Sequence, residues 1–359
     1  MATVVLAGGG TAGHIEPALA VARAWKLAHP DDEMVFIGTK AGLENKLVPS
    51  AGFTLAYIPK VQISRRPSVS WFRIPFDLFR AVASSRILLK DAQLLIGFGG
   101  YVSAPAYLAA RIMKTPFLIH EANAKPGWAN RLGAKLTPYL AVATHVDKGE
   151  FAKAQITGLP LRTDVSEAFA ASRFDFPAAR QAAKRRLGFD VDKPLVFIMG
   201  GSQGSIAINK VVEESLLELL AKGISILHAT GRLNSLPEKM DGYRPVAYVD
   251  AMGDAYLASD LVISRSGAVT CSEFRALGRY ALFVPLPIGN GEQFYNALSL
   301  VEESRAEVVE QSNFNAQFLR AHIDNLLKRA SASRVDGSDA DLAAAEKIVA
   351  FGEFAVSQK

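Results

Sequence analysis

Residues 4–17, Val-Val-Leu-Ala-Gly-Gly-Gly-Thr-Ala-Gly-His-Ile-Glu-Pro, constrain the fold of this chain more than any other stretch. A short apolar run passes through Gly8, Gly9 and Gly10 into a helical pattern over 18–25, so the order is strand, glycine turn, helix. Glycine tolerates positive φ and lets a ligand approach bare N–H groups, while a helix start adds partial positive charge. Such a turn suits an anion, most often a phosphate. Read literally, Gly8-x-Gly10-x-x-Gly13 also satisfies the dinucleotide fingerprint. That fingerprint needs an acid about 20 residues on, at the end of the second strand, to hold a ribose hydroxyl. Here the second strand, 34–37, runs into Gly38-Thr39-Lys40 with no carboxylate, which disfavours a nicotinamide or flavin enzyme. His14 adds an imidazole at the ligand-facing end of the sheet.

Apolar runs at 3–6, 34–37, 54–58, 94–97, 116–119 and 140–143 alternate with amphipathic stretches. Alternation of this kind implies an α/β fold, a parallel sheet with helices on both faces. The pattern breaks near Gly158-Leu-Pro-Leu-Arg162, and a charged helical stretch follows at 177–187. A second series then opens at 194–199, runs into Gly200-Gly-Ser202-Gln-Gly204 and enters a helical pattern at 206–220, with further strands at 225–228, 246–249, 260–264 and 280–285. A chain of 359 residues exceeds one comfortable core. The expectation is two doubly wound, Rossmann-like domains, 1–160 and 161–337, with the ligand in a cleft between facing strand ends. Residues 338–359 read as a helix opened by a capping box, Ser338-x-x-Asp341, with Leu342, Ala345, Val349 and Phe354 on its apolar face. Which domain it covers is left open by the sequence.

Half the residues are apolar and about a fifth charged, with no apolar run of membrane-spanning length and no signal-peptide pattern at the start, so a cytoplasmic, non-spanning protein is expected. The single cysteine, Cys271, excludes an intramolecular disulfide and a cysteine-based zinc site, and reads as a small helix residue. The net charge of +5 is local: over 61–90, Arg65, Arg66, Arg73, Arg80, Arg86 and Lys90 face Asp77 alone. Trp71, Phe72, Ile74, Phe76 and Phe79 interleave with these cations and are too widely spread for one crossover helix to bury. Pro75 suits a helix start, with Leu78, Val82 and Ser85 facing inward. An interfacial anchor on anionic lipid needs this mixture, with Arg65, Arg66, Trp71, Phe72, Arg73 and Phe76 as the contact. A core helix with a solvated basic face is the plainer alternative; a nucleic-acid surface finds no other support in the chain.

Three further turns could carry chemistry. After 260–264 comes Arg265-Ser-Gly-Ala268-Val269-Thr270-Cys-Ser-Glu273, a glycine turn at a helix start whose N–H groups suit a diphosphate. Glu273 either accepts from ribose hydroxyls or complements the helix dipole. In the first half, Gly97-Phe-Gly99-Gly100-Tyr101-Val-Ser103 and His120-Glu121-Ala-Asn123 follow strands. Each alone could be an ordinary loop; together with the first turn they bring His14, Glu121 and Asn123 towards one rim. Asp190-x-Asp192 precedes a strand, on the edge away from the ligand end, and Asp339-x-Asp341 lies in the helix cap, so neither pair is expected to hold a metal. Helix N-termini and Arg162 can neutralise a diphosphate instead.

Seven motifs stand in the order of the MurG family, which this chain resembles over residues 3 to about 305: Gly8-Gly-Gly-Thr11-Ala12-Gly13-His14 with Pro17, Gly99-Gly-Tyr-Val-Ser103, His120-Glu-x-Asn123, Gly158-x-Pro-x-Arg162, Gly200-Gly-Ser-Gln-Gly204, Ser264-Arg-Ser-Gly-Ala268 with Glu273, and Gln293-x-x-Asn296-Ala297. It departs from the family's usual pattern at Glu16 and at Gly291-Glu292. The resemblance implies a GT-B fold and inverting, metal-free and cofactor-free transfer of N-acetylglucosamine from UDP-GlcNAc to undecaprenyl-linked lipid I at the cytoplasmic face of the membrane. By position it implies that Arg162, Ser202, Val249, Ala268, Val269, Thr270, Glu273 and Gln293 bind the UDP-sugar, Val249 reading uracil through its backbone. Thr11, Ala12, Gly13 and Asn123 would lie towards the sugar, Gly99, Gly100, Tyr101 and Glu121 towards the acceptor, and His14 would be the base. A transferase acting on another membrane lipid is the nearest rival, and a non-catalytic membrane-surface module a more distant one.

Overall fold

In the computed structural model, which describes residues 1–61, 72–333 and 336–358, the chain divides into two units. The first comprises Met1–Leu161 together with Ala343–Lys359, and the second Arg162–Leu342.

Unit 1 runs β1 (Thr3–Gly8), α1 (Ala12–Ala28), β2 (Glu33–Gly38), α2 (Glu44–Ser50), β3 (Thr54–Tyr57), α3 (Ile74–Leu88), β4 (Ala92–Gly99), α4 (Ser103–Met113), β5 (Phe117–Glu121), α5 (Trp128–Gly133), β6 (Leu140–Val142) and β7 (Gln155–Ile156). Among the described residues the strands form one sheet in the order β3-β2-β1-β4-β5-β6-β7, every pairing parallel. Val4 to Ala7 are buried on both faces, which is why β1 reads as a continuous apolar run and not as an alternation. The order reverses between β1 and β4, and the loops after these strands open at the switch point where doubly wound sheets bind ligands.

Unit 2 runs α6 (Thr163–Arg186), β8 (Leu195–Met199), α7 (Ile206–Ala221), β9 (Ser225–Ala229), β10 (Tyr243–Val246), α8 (Met252–Ala258), β11 (Leu261–Ser264), α9 (Ala268–Leu277), β12 (Ala281–Phe283), α10 (Glu292–Glu302), β13 (Ala306–Val308) and α11 (Ala316–Ala332). Its parallel sheet has the order β10-β9-β8-β11-β12-β13, with the switch point between β8 and β11. Buried side chains form a core layer on each face of each sheet.

The last helix, α12 (Ala344–Ser357), belongs to unit 1. Ala345, Ile348, Val349 and Ala355 join a core with Trp25, Leu94, Ile96 and Leu118. Contact is close enough that a Cβ on Gly352 would lie 2.9 Å from Leu94 and 3.0 Å from Trp25.

Several expected boundaries are corrected. The last helix starts six residues after Ser338, because Asp341 is not a cap: its carboxylate accepts from the Ser272 hydroxyl and lies 3.9 Å from Arg275. Phe354 is half exposed and stacks beside Phe351, so Ile348 holds the central place on the inner face. β10 covers 243–246, three residues earlier than expected, since Arg162 binds Tyr248 and Asp250 and the chain there has left the sheet. Pro245 is tolerated because β10 is an edge strand. The charged stretch at 177–187 is the second half of α6, which kinks at Asp175 (φ −155°, ψ 95°), whose carboxylate caps the restart by accepting from the Ala178 N–H at 2.9 Å.

Candidate functional site

In unit 1 the loops after β1, β2, β4 and β5 meet at the carboxyl edge of the sheet. Gly8 is required there, since a Cβ would lie 2.6 Å from the His14 carbonyl oxygen, and one on Gly100 (φ +86°) would lie 2.3 Å from that of Gly9. His14, on the first turn of α1, has Nδ1 at 3.1 Å from the Gly9 carbonyl and 3.2 Å from Thr11 Oγ1. A carbonyl only accepts, so Nδ1 carries the proton and Nε2 carries the lone pair. A Cβ on Gly99 would be 3.4 Å from Nε2, which makes Gly99 the floor beside the basic nitrogen. Burial lowers the His14 pKa, against the opposing pull of Glu121, the Gly9 carbonyl and Glu44, so the ring is neutral at physiological pH.

The first turn differs from the expectation in one respect. The N–H of Gly10 donates to Glu44 Oε2 at 3.1 Å, so the anion it holds is a side chain of the protein. Glu44 is fully buried at the start of α2, and its Oε1 accepts from the Thr39 N–H at 3.0 Å and from the Tyr101 hydroxyl at 2.6 Å. The dinucleotide fingerprint calls for a carboxylate at the end of β2, whereas this one arrives six residues after Gly38 and points into the turn, a placement that sequence spacing does not reveal. The available signal was glycine placement, for a Cβ on Gly38 would lie 2.5 Å from Glu44 Cγ and one on Gly42 2.0 Å from Glu44 Oε2.

Glu121 and Asn123 are brought together as expected, but Glu121 shapes its own loop. Its Oε1 accepts from the Asn123 N–H (2.8 Å) and side-chain amide (3.0 Å), and its Oε2 from the Gly127 N–H (2.9 Å) and Asn130 Nδ2 (3.0 Å). The Asn130 amide is oriented by the Tyr107 hydroxyl, which donates to its Oδ1 at 2.8 Å. His120 is buried, donates through Nε2 to the Gly158 carbonyl at 2.9 Å, and is held down to about 4 by burial, against which that bond acts.

In unit 2 the turn carrying Ser202 is pressed against the loop after β9: a Cβ on Gly204 (φ +76°) would lie 2.0 Å from the Thr230 carbonyl, and one on Gly231 (φ +97°) 2.4 Å from that of Gln203. Arg265 ties neighbouring loops together, donating to Ser205 Oγ at 2.7 Å, to the Val284 and Pro285 carbonyls at 2.8 and 3.0 Å, and to Gln311 Oε1 at 2.6 Å. Gly267 precedes α9 with extended backbone and no side-chain cap, so the amides of Ala268, Val269 and Thr270 open a helix start suited to a phosphate. Arg162 donates to Asp164 (3.1 Å), the Tyr248 hydroxyl (3.2 Å) and the Asp250 carbonyl (2.8 Å), and so brackets Val249. Glu273 is buried, with its Oε2 accepting from Tyr256 at 2.7 Å; burial and this carboxylate hold the phenol protonated. Gln293 Oε1 accepts from the Leu286 N–H at 3.0 Å, and Asn296 Nδ2 donates to the Ser266 carbonyl at 3.3 Å, which seats α10 against the β11 turn.

Away from these turns, α3 presents an apolar face to solvent: Phe72 before its start, then Phe76 and Phe79, are strongly exposed, with the Arg80 guanidinium 5.7 Å over the Phe76 ring. Arg73 and Arg86 are also exposed. Leu78 and Val82 pack inward as expected, but so does Ile74, which is thereby removed from the exposed set. Arg65, Arg66 and Trp71 lie outside the described residues.

Two doubly wound units, one with a histidine at its switch point and the other with helix starts suited to phosphates, fit the class of nucleotide-sugar glycosyltransferases. The Glycosyltransferase family 28 N-terminal domain matches residues 4–148, and the Glycosyltransferase family 28 C-terminal domain matches residues 195–349. Proteins named UDP-N-acetylglucosamine--N-acetylmuramyl-(pentapeptide) pyrophosphoryl-undecaprenol N-acetylglucosamine transferase are similar: one from Corynebacterium glutamicum strain R is 44% identical over 90% of this chain and 89% of its own, and one from Corynebacterium diphtheriae 46% identical over 88% and 85%. The crystal structure of Acinetobacter baumannii MurG superposes with a TM-score of 0.72 at 26% identity, covering 99% of this chain and 100% of that one. The chain belongs to glycosyltransferase family 28 and, within it, to the MurG family.

Proposed function

We propose that this protein transfers N-acetylglucosamine from UDP-GlcNAc to the muramic acid of undecaprenyl-linked lipid I, forming lipid II for peptidoglycan, with inversion at the anomeric carbon. The observation that carries this reading is identity above 40% to curated transferases of that name over about nine tenths of the chain. A hydroxyl of the acceptor attacks the anomeric carbon while His14 Nε2 takes its proton. The bond to UDP breaks with its electron pair leaving on the diphosphate. The amides of Ala268, Val269 and Thr270 and the Arg162 guanidinium stabilise that charge, so a metal ion is not needed. Glu273 and Gln293 serve the nucleoside and sugar, the Val249 backbone serves the uracil, and Ser202 serves the phosphates. Thr11, Ala12, Gly13 and Asn123 line the sugar's path, with Gly99, Gly100, Tyr101 and Glu121 on the acceptor side.

The protein works as a peripheral component at the cytoplasmic face of the membrane. Among the described residues no helix is long and apolar enough to span a bilayer. The exposed Phe72, Phe76 and Phe79 with Arg73, Arg80 and Arg86 have the composition of an interfacial contact with anionic lipid, rings entering the acyl boundary and each nearby cation gaining about 1 kcal/mol. The test is transfer of radiolabelled GlcNAc to a lipid I analogue, with and without excess EDTA. Transfer in both conditions is expected. Turnover of diacylglycerol but not lipid I would refute the acceptor assignment, and activity lost in EDTA and restored by magnesium would refute the metal-free step.

A further inference from the structure

The first turn places Glu44 and His14 on opposite ends of one peptide group. Glu44 Oε2 accepts the Gly10 N–H at 3.1 Å, and His14 Nδ1 donates to the Gly9 carbonyl at 3.1 Å; these are the N–H and C=O of the same amide. We propose that Glu44 is a positioning residue for the transfer reaction, acting on His14 through the Gly9–Gly10 peptide and holding Tyr101 beside it. The proposal rests on His14 being the base. A carboxylate that accepts the N–H polarises the amide and makes its carbonyl a stronger acceptor, which favours the Nδ1–H tautomer and leaves Nε2 to take the proton. Orienting acids in other enzymes touch the imidazole directly; here the contact passes through the backbone.

The surroundings are arranged for this carboxylate. An anion withdrawn from water is unfavourable unless hydrogen-bonded, and Glu44, fully buried, accepts from Gly10, Thr39 and Tyr101. Because the Tyr101 proton goes to Glu44, the 2.8 Å contact between Thr39 Oγ1 and the Tyr101 oxygen runs from the threonine. Burial and the bond to Glu44 raise the Tyr101 pKa and keep it a donor. Gly38 and Gly42 leave the space the carboxylate occupies, and Tyr101 is packed so closely that a Cβ on Gly10 would be 2.9 Å from its ring. The charged and titratable groups around this assembly are Glu121 from the end of β5, Glu44 from α2, Tyr101 after β4, and Lys60, whose ammonium lies 5.5 Å over the Tyr101 ring.

The experiment uses the full chain carrying Glu44→Gln and, separately, Gly42→Ala. Glutamine keeps the shape but must present its NH₂ to the Gly10 N–H or to the Thr39 and Tyr101 donors, so one set of bonds is lost. Alanine at 42 keeps the charge and displaces the carboxylate by crowding. In the parent, ¹⁵N NMR of His14 should show the Nδ1–H tautomer. In Glu44→Gln, Nε2–H should gain population, the ring pKa should fall, and the acid limb of kcat should move to lower pH; kcat should drop about 10²-fold with KM for UDP-GlcNAc unchanged. Gly42→Ala should show the tautomer change with a smaller pKa change, and decides the matter if Glu44→Gln does not fold. An unchanged His14 tautomer and titration in either folded variant overturns the proposal. Parent protein that fails to glycosylate lipid I while His14 still responds to Glu44 overturns the functional reading and leaves the coupling standing.

Discussion

Acidification should loosen the Ser202 turn of unit 2 through His228. This ring is buried, its Nδ1 3.0 Å from the Tyr243 hydroxyl and its Nε2 3.1 Å from Asn209 Oδ1. The Asn209 amide is oriented by its Nδ2, which donates to the Thr230 carbonyl at 2.9 Å, so Oδ1 faces the ring and Nε2 is the donor. That same Thr230 carbonyl is the surface against which Gly204 is pressed. Burial depresses the His228 pKa to about 4 from 6.5. The folded state therefore binds fewer protons than the unfolded chain between about pH 4 and 6.5, and stability falls as pH drops through this window. The loss from this one group is about 2 kcal/mol at pH 5 and levels off near 3 kcal/mol below pH 4. Replacing it by glutamine, which offers an amide donor and a carbonyl acceptor but no titration, should remove that slope. Urea unfolding of unit 2, followed by hydrogen exchange of β8 and β9 at pH 7 and pH 5, measures it. Parent protein should lose about 2 kcal/mol more than His228→Gln between the two pH values. Equal losses, or a His228 resonance titrating near 6.5, would refute the reasoning.

The remaining predictions concern the reaction and the membrane. His14→Ala should lower turnover about 10²–10⁴-fold and leave UDP affinity unchanged by calorimetry. Because Burial lowers the His14 pKa, the acid limb of kcat in the parent should fall below pH 6.5, activity being lost as pH drops through it. Glu273→Ala should weaken UDP and UDP-GlcNAc together, and should also destabilise unit 2 by about 1–3 kcal/mol by leaving the buried Tyr256 hydroxyl without its acceptor; intact UDP binding would sink the donor role. Phe72, Phe76 and Phe79 replaced together by serine should abolish cosedimentation with anionic vesicles at low salt while turnover of a short, water-soluble acceptor stays near the parent's, and unchanged sedimentation would remove α3 from the membrane contact.

How much of this could be read from the residues depended on whether the cause was local. The run from Val4 into Gly8-Gly-Gly and α1 was legible because a strand buried on both faces is a continuous apolar string and its turn must be glycine. The repeat of that pattern at 195–221 gave the second unit by the same logic. Glu44 was not legible, because its role follows from where Gly10 and Tyr101 come to lie, and these are 34 and 57 residues away. The last helix was misplaced for a similar reason: Ser338-x-x-Asp341 has the composition of a cap, but Ser272 and Arg275 hold Asp341 instead. Glu273 and Gln293 read from the sequence as ligand-facing, yet Glu273 Oε2 accepts from Tyr256 and Gln293 Oε1 from the Leu286 N–H. Short edge strands such as β7 and β13 left no periodicity to read.

The return of α12 to unit 1 bears on how the polypeptide is made. Leu94, Ile96, Leu118 and Trp25 receive part of their cover from Ile348, Val349 and Ala355. On the ribosome, the first 161 residues therefore emerge without the helix that completes their core, and wait until the whole of unit 2 has been synthesised. During that interval the growing chain carries an uncovered greasy stripe suited to chaperone binding. A ribosome that stops just before residue 343 leaves unit 2 whole and unit 1 without the helix that closes its core.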